Sequence, residues 1–284
     1  MIIQIRRPLL IILMFVVAIS FIITNNTKND EELNDKIITI QGVVKGKIEK
    51  KRYNQYKVGV FLINDYTKNK NLKIGQKVNI TGKFKSLDKM KYDDFDYGRY
   101  IKSTGYKGIV YINNYKIIDK NKLYSLIGEI KFYISKTYRY LYKKNSDFIN
   151  SILLAEVENL TEEQKEIFTR TGTSHVISIS GLHTGILCVI ISFLLRGINK
   201  LYKLLILSIF ITLYCIMVGA SPSIIRSIAF VMIFYLSIFI DRKKDGISAL
   251  SLIGIILIMN NPYVIYNVSF QLSFLATLSI LIFY

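Results

Sequence analysis

Cysteine and histidine are scarce in this chain, with two of each in 284 residues. Cys188 and Cys215 both fall inside apolar runs, so no disulfide framework is available and neither has metal-ligand spacing. His175 and His183 stand eight residues apart, two helical turns, too far for one ion, and no cysteine or carboxylate nearby adds a third ligand. Ser180 sits in Ile-Ser-Gly rather than in a Gly-x-Ser-x-Gly elbow. His183, one turn further on the same helix, is badly placed as its general base. No nucleotide-binding loop is present, so an ATP-driven motor would be a separate protein. Catalytic, metal and cofactor sites are therefore not expected.

Acidic residues are also few, 20 against 38 Lys and Arg. The imbalance is local: residues 25–146 hold 27 Lys/Arg and 12 Asp/Glu, +15 of the chain's +18. A balance this basic points to an anionic partner, nucleic acid or lipid headgroups. A gene rich in A and T would also enrich Lys, Asn, Ile and Tyr, so only charge gathered on one folded face counts as functional. The mean hydropathy is positive although 20% of residues are charged. That combination requires segregation into apolar segments in lipid and charged ones in water.

Between residue 25 and Val176 there is no long apolar run. Before that gap, Pro8–Thr24 follows Arg6 and Arg7 and reads as an uncleaved anchor. A signal peptide would have a shorter apolar core and end in a small-residue cleavage site, whereas Ala18 and Ser20 lie inside the run. After the gap come five expected spans, at about 176–195, 204–219, 223–240, 247–259 and 264–284. Several are shorter than the roughly 20 residues of a straight crossing, which is tolerated inside protein or beside a wet cavity. Arg6 and Arg7 place the N-terminus in the cytoplasm, and the first span exports residues 25–175. The basic loops at Arg196–Lys203 and Asp241–Asp245 then fall inside, and Gly219–Ser221 and Asn260–Pro262 fall outside. The last run reaches Tyr284 with no polar flank, so a longer protein is expected to continue from it.

The exported basic segment reads as short strands, at Ile37–Lys47, Tyr56–Ile63, Leu72–Phe84 and Tyr106–Ile118. Strands at this density suggest a small barrel of the OB type. Such barrels bind single strands through basic grooves with stacking aromatics. Lys45, Lys47, Lys51, Arg52, Tyr53 and Tyr56 supply both chemistries in the first hairpin region. The competing account makes the lysines a solvated strand face and the tyrosines barrel packing. Over 121–144 the period changes: Leu123, Leu126, Ile127, Ile130, Ile134, Tyr138 and Leu141 recur every three or four residues among Lys and Arg. This basic amphipathic helix would lie on the outer membrane surface or pack against the barrel. Glu156 and Glu158 read as solvated surface carboxylates.

The most informative stretch follows a capping box at Thr161 and Gln164. Gly172, His175, Ile179, Ser180, Gly181, Leu182 and His183 stand in one continuous phrase that resembles the central motif of the ComEC-type competence proteins. Three further phrases are similar to that family. They are Phe95-Asp96-Tyr97-x-x-Tyr100-Ile101-x-x-x-Gly105, Pro222-Ser223-x-x-Arg226, and Asn261-Pro262 followed by Ser269-Phe270-Gln271. The resemblance implies an exported OB-type domain and a polytopic domain forming a path for single-stranded DNA. Many family members also carry a metallo-β-lactamase-like domain, whose several histidine ligands this chain's two cannot supply.

The expected architecture is therefore a bacterial plasma-membrane protein in four parts: an anchor (1–24), an exported OB-like β domain (25–120), the amphipathic helix (121–146), and an incomplete polytopic helical domain (147–284). Polar residues at membrane depth usually face a cavity or a partner. Ser178, Ser180, Gly181, His183 and Gly185 suggest a helix broken near Ser180-Gly181, whose freed amides and His183 meet a passing phosphate. A tight Ser/Gly helix seam is the alternative. Pro222, Ser223, Arg226 and Gln271 complete the candidate path, although Arg226 can also snorkel to the interface. Expected partners are single-stranded DNA, lipid, a separate DNA receptor and a separate motor, with a homo-oligomer left open. A non-transporting remnant or anchored DNA-binding module, and a small-solute transporter, are the competing functions. The transporter should show inverted repeats, which the five spans lack.

Overall fold

The computed structural model describes residues 7–26, 33–50, 52–68, 71–88, 90–92, 95–173, 181–219 and 245–283, with the pairs 224–225, 228–229 and 232–233. Helix α1 is Pro8–Asn26. Its first residue is proline, whose missing N–H costs nothing at that position. Nineteen residues make a helix of about 28 Å, close to a bilayer's hydrocarbon thickness.

Five strands close into a barrel: β1 Ile37–Glu49, β2 Asn54–Val58, β3 Phe61–Asp65, β4 Gln76–Lys85 and β7 Gly108–Lys120. Their order around the barrel is β1-β2-β3-β7-β4, with β3 and β7 parallel and the other pairs antiparallel. Burial alternates strictly along β4, so Val78, Ile80 and Phe84 point inward and Lys77 and Lys83 outward. The core also takes Val44, Tyr56, Ile63 and Val110. The segment Tyr56–Ile63, expected as one strand, is a hairpin. Gly59, at φ +58°, begins a two-residue turn between paired Val58 and Phe61. A positive φ there matches the turn to the strands' twist.

Between β4 and β7 the chain makes a two-stranded ribbon, β5 Lys91–Tyr92 and β6 Phe95–Asp96, and helix α2, Tyr97–Ser103. This insertion covers the outer face of β3 and β7 with Leu87, Met90 and Ile101 against Leu62 and Ile109.

The expected amphipathic helix is α3, Lys122–Tyr142, capped by the Asn121 side chain. Of the two placements expected for it, packing against the barrel is the one observed at its start. Asn121 N–H donates to Gly75 O at 2.7 Å and Gly128 packs on Ile74, seating its start on the barrel. Ile127 is buried, yet Leu123, Leu126, Ile130 and Leu141 stay exposed. Helices α4, Ser146–Leu154, and α5, Glu162–Arg170, follow, and the capping box of Thr161 and Gln164 is present.

Further helices among the described residues are α6 Gly181–Leu194, α7 Lys200–Val218, α8 Gly246–Asn260 and α9 Val268–Phe283, and the pairs 224–225, 228–229 and 232–233 are also helical. Among the described residues, α1 and α7 are long and apolar enough to cross a membrane, while α6, α8 and α9 are shorter apolar helices. Most of the expected span at 223–240 lies outside the described residues. The expected span at 264–284 starts later, at Val268. A 3-10 turn, Pro262–Tyr266, precedes it, and Asn267 separates the two by accepting the Phe270 N–H. Helices α1 and α8 lie parallel and in contact. Arg7 pairs with Asp245 at one end, Leu13 meets Gly254 midway, and Ser20 donates to Pro262 O at the other end. A side chain at 254 would collide with Leu13 and Phe274, so glycine there sets the close approach.

Candidate functional site

Two stretches far apart in sequence, 95–105 and 261–271, meet at the far ends of α1 and α8. Asp96 starts α2 by accepting the Arg99 N–H at 2.8 Å and lies 3.5 Å from the Arg99 guanidinium. That guanidinium stacks 4.9 Å from the Tyr266 ring and donates to Asn25 Oδ1 at the end of α1. Lys102 pairs with Asp88 at 2.5 Å and lies 5.1 Å from the Tyr263 ring. Asn261 Nδ2 donates to Lys102 O at 2.9 Å and Ser103 O at 3.3 Å, while its Oδ1 accepts the Tyr263 N–H. Asn267, 4% exposed, donates to Ser103 Oγ at 3.1 Å. Thr24 Oγ1 and Tyr266 OH are 3.0 Å apart. The side chains of one loop thus read the backbone and hydroxyl of α2, which fixes the barrel on the ends of two parallel helices.

Of the expected path residues, Gln271 belongs to this junction. Its Nε2 donates to Ile265 O, closing the 3-10 turn. His183, half-buried, and Gly185 stand on α6, which packs on α7 through Leu187, Cys188 and Ile191. Among the described residues, a side chain at 185 would meet nothing within 4 Å. Helix α6 begins at Gly181. His175, Ser178, Ser180, Pro222, Ser223 and Arg226 lie outside the described residues, so Gly181 is placed without the rest of its phrase.

The basic candidates make different contacts. Lys45 is exposed and lies 6.0 Å from the Tyr124 ring of α3. Lys47 is held by Glu49 at 2.6 Å and Asn71 at 3.3 Å, in a shallow pocket of about 320 Å³ with Asn54 and Lys68. Arg52 is exposed and Tyr53 half-buried, and Lys51 lies outside the described residues. Tyr56 is a correction: its ring is fully buried in the barrel core, and burial raises its pKa. The hairpin turn sets the register that points it inward, so it can stack no base.

Glu156 is also held more firmly than a solvated carboxylate, accepting from Ser135 Oγ at 3.0 Å and Asn159 Nδ2 at 3.1 Å. This is where α3 and α4 meet, with the Asn150 amide donating to Ser135 Oγ at 3.2 Å. Burial depresses the pKa of Lys131, partly offset by Glu156, and that of Lys57, partly offset by Glu158. Among the described residues, no three His, Cys, Asp or Glu side chains gather to hold a metal ion.

Residues 152–284 match the family model described as competence protein. That match, with the first relative below, supports a ComEC-type competence protein. ComE operon protein 3 of Bacillus subtilis (strain 168) is 26% identical over 165 residues, 57% of this chain and 21% of that protein. An uncharacterized protein of Aquifex aeolicus (strain VF5) is 30% identical over 125 residues, 44% of this chain and 30% of that one. Each match therefore spans less than a third of the relative's length. Among solved structures, an aspartyl tRNA synthetase from Entamoeba histolytica is 11% identical, with a TM-score of 0.24 over 61% of this chain and 37% of that one. At that score the likeness says nothing about fold or function. The competence domain includes the loop half of the junction, Asn261 to Gln271, while the α2 half lies in the barrel domain before it. Sequence reasoning had marked both stretches but not their contact. The two asparagines that bracket the 3-10 turn, Asn261 and Asn267, were its local signal.

Proposed function

We propose that this chain acts in competence DNA uptake, as the front part of a channel that takes single-stranded transforming DNA across a bacterial cytoplasmic membrane. The competence domain at 152–284 is the observation that carries this. The barrel's strand order, with its parallel β3–β7 pair, supports an OB-type module. Strand and helix limits support dividing the chain near residues 24, 120 and 146.

A multi-pass topology with a cytoplasmic N-terminus draws support from the parallel contact of α1 and α8. Arg7 and Asp245 share one end, assigned to the cytoplasm by the basic residues around them. The barrel, Asn25 and the 261–267 loop share the other end, which is the outer one. Helix α1 is held along its length and behaves as an anchor built into the helical domain.

In this scheme the protein conducts and does not catalyse. His175, Ser178, Ser180, Gly181, His183, Gly185, Pro222, Ser223 and Arg226 belong to the path, and Gln271 supports the junction beside it. The motor and the DNA receptor are separate proteins, lipid surrounds the apolar helices, and a homo-oligomer is compatible with the exposed faces of α6 and α7.

The test is entry of labelled DNA into a nuclease-protected compartment, in cells with the gene deleted, restored, and restored as His183→Ala at matched expression. Deletion and His183→Ala should both leave DNA bound outside. Entry that survives deletion refutes the channel. Loss on deletion with full rescue by His183→Ala keeps the uptake role but removes His183 from the path.

A further inference from the structure

The outer face of the barrel carries a row of tyrosines that the core does not use. Tyr53 precedes β2, Tyr66 follows β3, and Tyr111 lies on β7 opposite Asn64. Tyr53 and Tyr66 have ring centroids 4.8 Å apart, tilted by 33°, and Tyr66 and Tyr111 are 5.8 Å apart, tilted by 41°. The row therefore crosses three adjacent strands. Its middle ring is the most open, with Tyr66 55% exposed. Lys50 flanks the row, donating to the Tyr53 hydroxyl at 3.0 Å with its ammonium 5.1 Å from the ring centroid. Tyr111 and Tyr97 both pack on the cluster under α2, which brings the row next to a second group, Tyr97, Tyr100 and Phe95. Tyr100 is 41% and Phe95 52% exposed. From there α2 leads to Arg99 and the outer loop.

We propose that the Tyr53–Tyr66–Tyr111 row is a base-stacking site for single-stranded nucleic acid, with Lys50 beside it for the backbone phosphate and the strand leaving over Tyr97 and Tyr100 toward the α2 junction. The assignment rests on the DNA-uptake reading and locates the contact within it. Three physical points carry it. Open aromatic faces on a strand surface are costly in water unless something covers them. Base stacking on tyrosine tolerates any sequence, as uptake of arbitrary DNA requires. The surrounding segment is strongly basic, +15 over residues 25–146, which suits a polyanion and disfavours a neutral protein surface. The row is also distinct from the Lys45–Lys47 edge, where Lys47 is already paired with Glu49.

The test measures binding of a fluorescent oligothymidine to the full chain in detergent micelles, at two salt concentrations. Tyr66→Ala should weaken binding by about tenfold, as loss of one stacked base does. Tyr66→Phe, which keeps the ring, should bind like the parent. Tyr53→Ala combined with Tyr66→Ala should lose more, with unchanged circular dichroism. Lys50→Ala should flatten the salt dependence. If the parent binds and both Tyr66→Ala and the double variant bind equally well, the row is not the site, while the DNA reading survives. If those variants keep binding and a Lys45→Ala, Arg52→Ala variant loses it, the basic hairpin is the site. If the parent binds no single strand, the row and the barrel's DNA role fall together, whereas the entry assay still judges the channel.

Discussion

Removing the Asn261 side chain should uncouple the barrel from the helical domain at a cost that can be worked out bond by bond. Its Nδ2 reaches Lys102 O at 2.9 Å and Ser103 O at 3.3 Å. Lys102 O keeps a second donor, the Gly105 N–H at 2.9 Å, so it is not left bare. The bond to it is then worth about 0.5–1.5 kcal/mol net, and the longer one to Ser103 O about as much or less. The Oδ1 bond to the Tyr263 N–H starts the 3-10 turn, and losing such a cap costs about 1 kcal/mol. Asn261→Ala should therefore lose about 2–3 kcal/mol. Asn261→Ser retains a capping oxygen and loses only the reach to α2, so it should lose about 1–2 kcal/mol. Asn261→Asp keeps the cap but turns a carboxylate toward two carbonyls, and should be at least as damaging as alanine. Thermal unfolding of the full chain in micelles gives the stabilities. Spin labels on an exposed barrel site and on α9 give the distance distribution, which should broaden in Asn261→Ser and Asn261→Asp. If all three variants melt within about 0.3 kcal/mol of the parent and the distances stay narrow, the loop does not hold the barrel. The barrel then has no fixed seat on the helices.

Other perturbations address separate parts of the molecule. Tyr56→Ala empties the centre of the barrel and should cost about 3–5 kcal/mol, read as a loss of β-sheet circular dichroism while the helical signal persists. Lys131→Met removes a buried ammonium and should raise the melting temperature. Its folded pKa is lowered by burial, so below that value the charged form costs stability. The penalty is relieved as pH climbs from the folded pKa toward 10.5, and the gain from Lys131→Met should shrink over that window. Lys131→Met melting below the parent at neutral pH would reverse the account. Arg7→Ala breaks a half-exposed ion pair with Asp245 and should change stability by no more than about 1 kcal/mol. A larger loss would mean that the pair does more than mark one end of α1 and α8.

Which of these features were legible in the sequence depends on how local their causes are. Alternation in β4 and the three-to-four period of α3 are properties of neighbours along the chain, and both elements formed where expected. The capping box at Thr161 is likewise local. The hairpin within Tyr56–Ile63 leaves little local sign, because Gly59-Val60 is a short turn inside an apolar run, mostly β-branched and aromatic, broken only by Lys57. Missing it had a second consequence. The turn decides which face Tyr56 occupies, and a strand's side chains all change face with a shift of one residue. Tyr56 thus looked like a ligand contact, while Tyr66 and Tyr111, separated by 45 residues, gave no local sign of adjacency. The same holds for Asn261 and Ser103, whose contact spans 158 residues.

The family resemblance helped in a way that periodicity did not, because it marked 95–105 and 261–271 together before any contact between them was known. Their meeting gives those phrases a structural purpose apart from the proposed path. A strand held on the barrel is useful for uptake only if the barrel keeps a constant place over the helices. The junction supplies that constancy through donors on one loop and acceptors on α2. It also gives α1 a place in the packing. Arg99 bridges Tyr266 and Asn25, and Thr24 touches the Tyr266 hydroxyl, so a chain lacking α1 altogether would lose the barrel's second support. Cleavage introduced between Asn26 and Leu33 should therefore leave the two pieces together in micelles, held by α8 and the 261–267 loop. Their separation under mild detergent would show that the covalent link, rather than this packing, holds α1 in place.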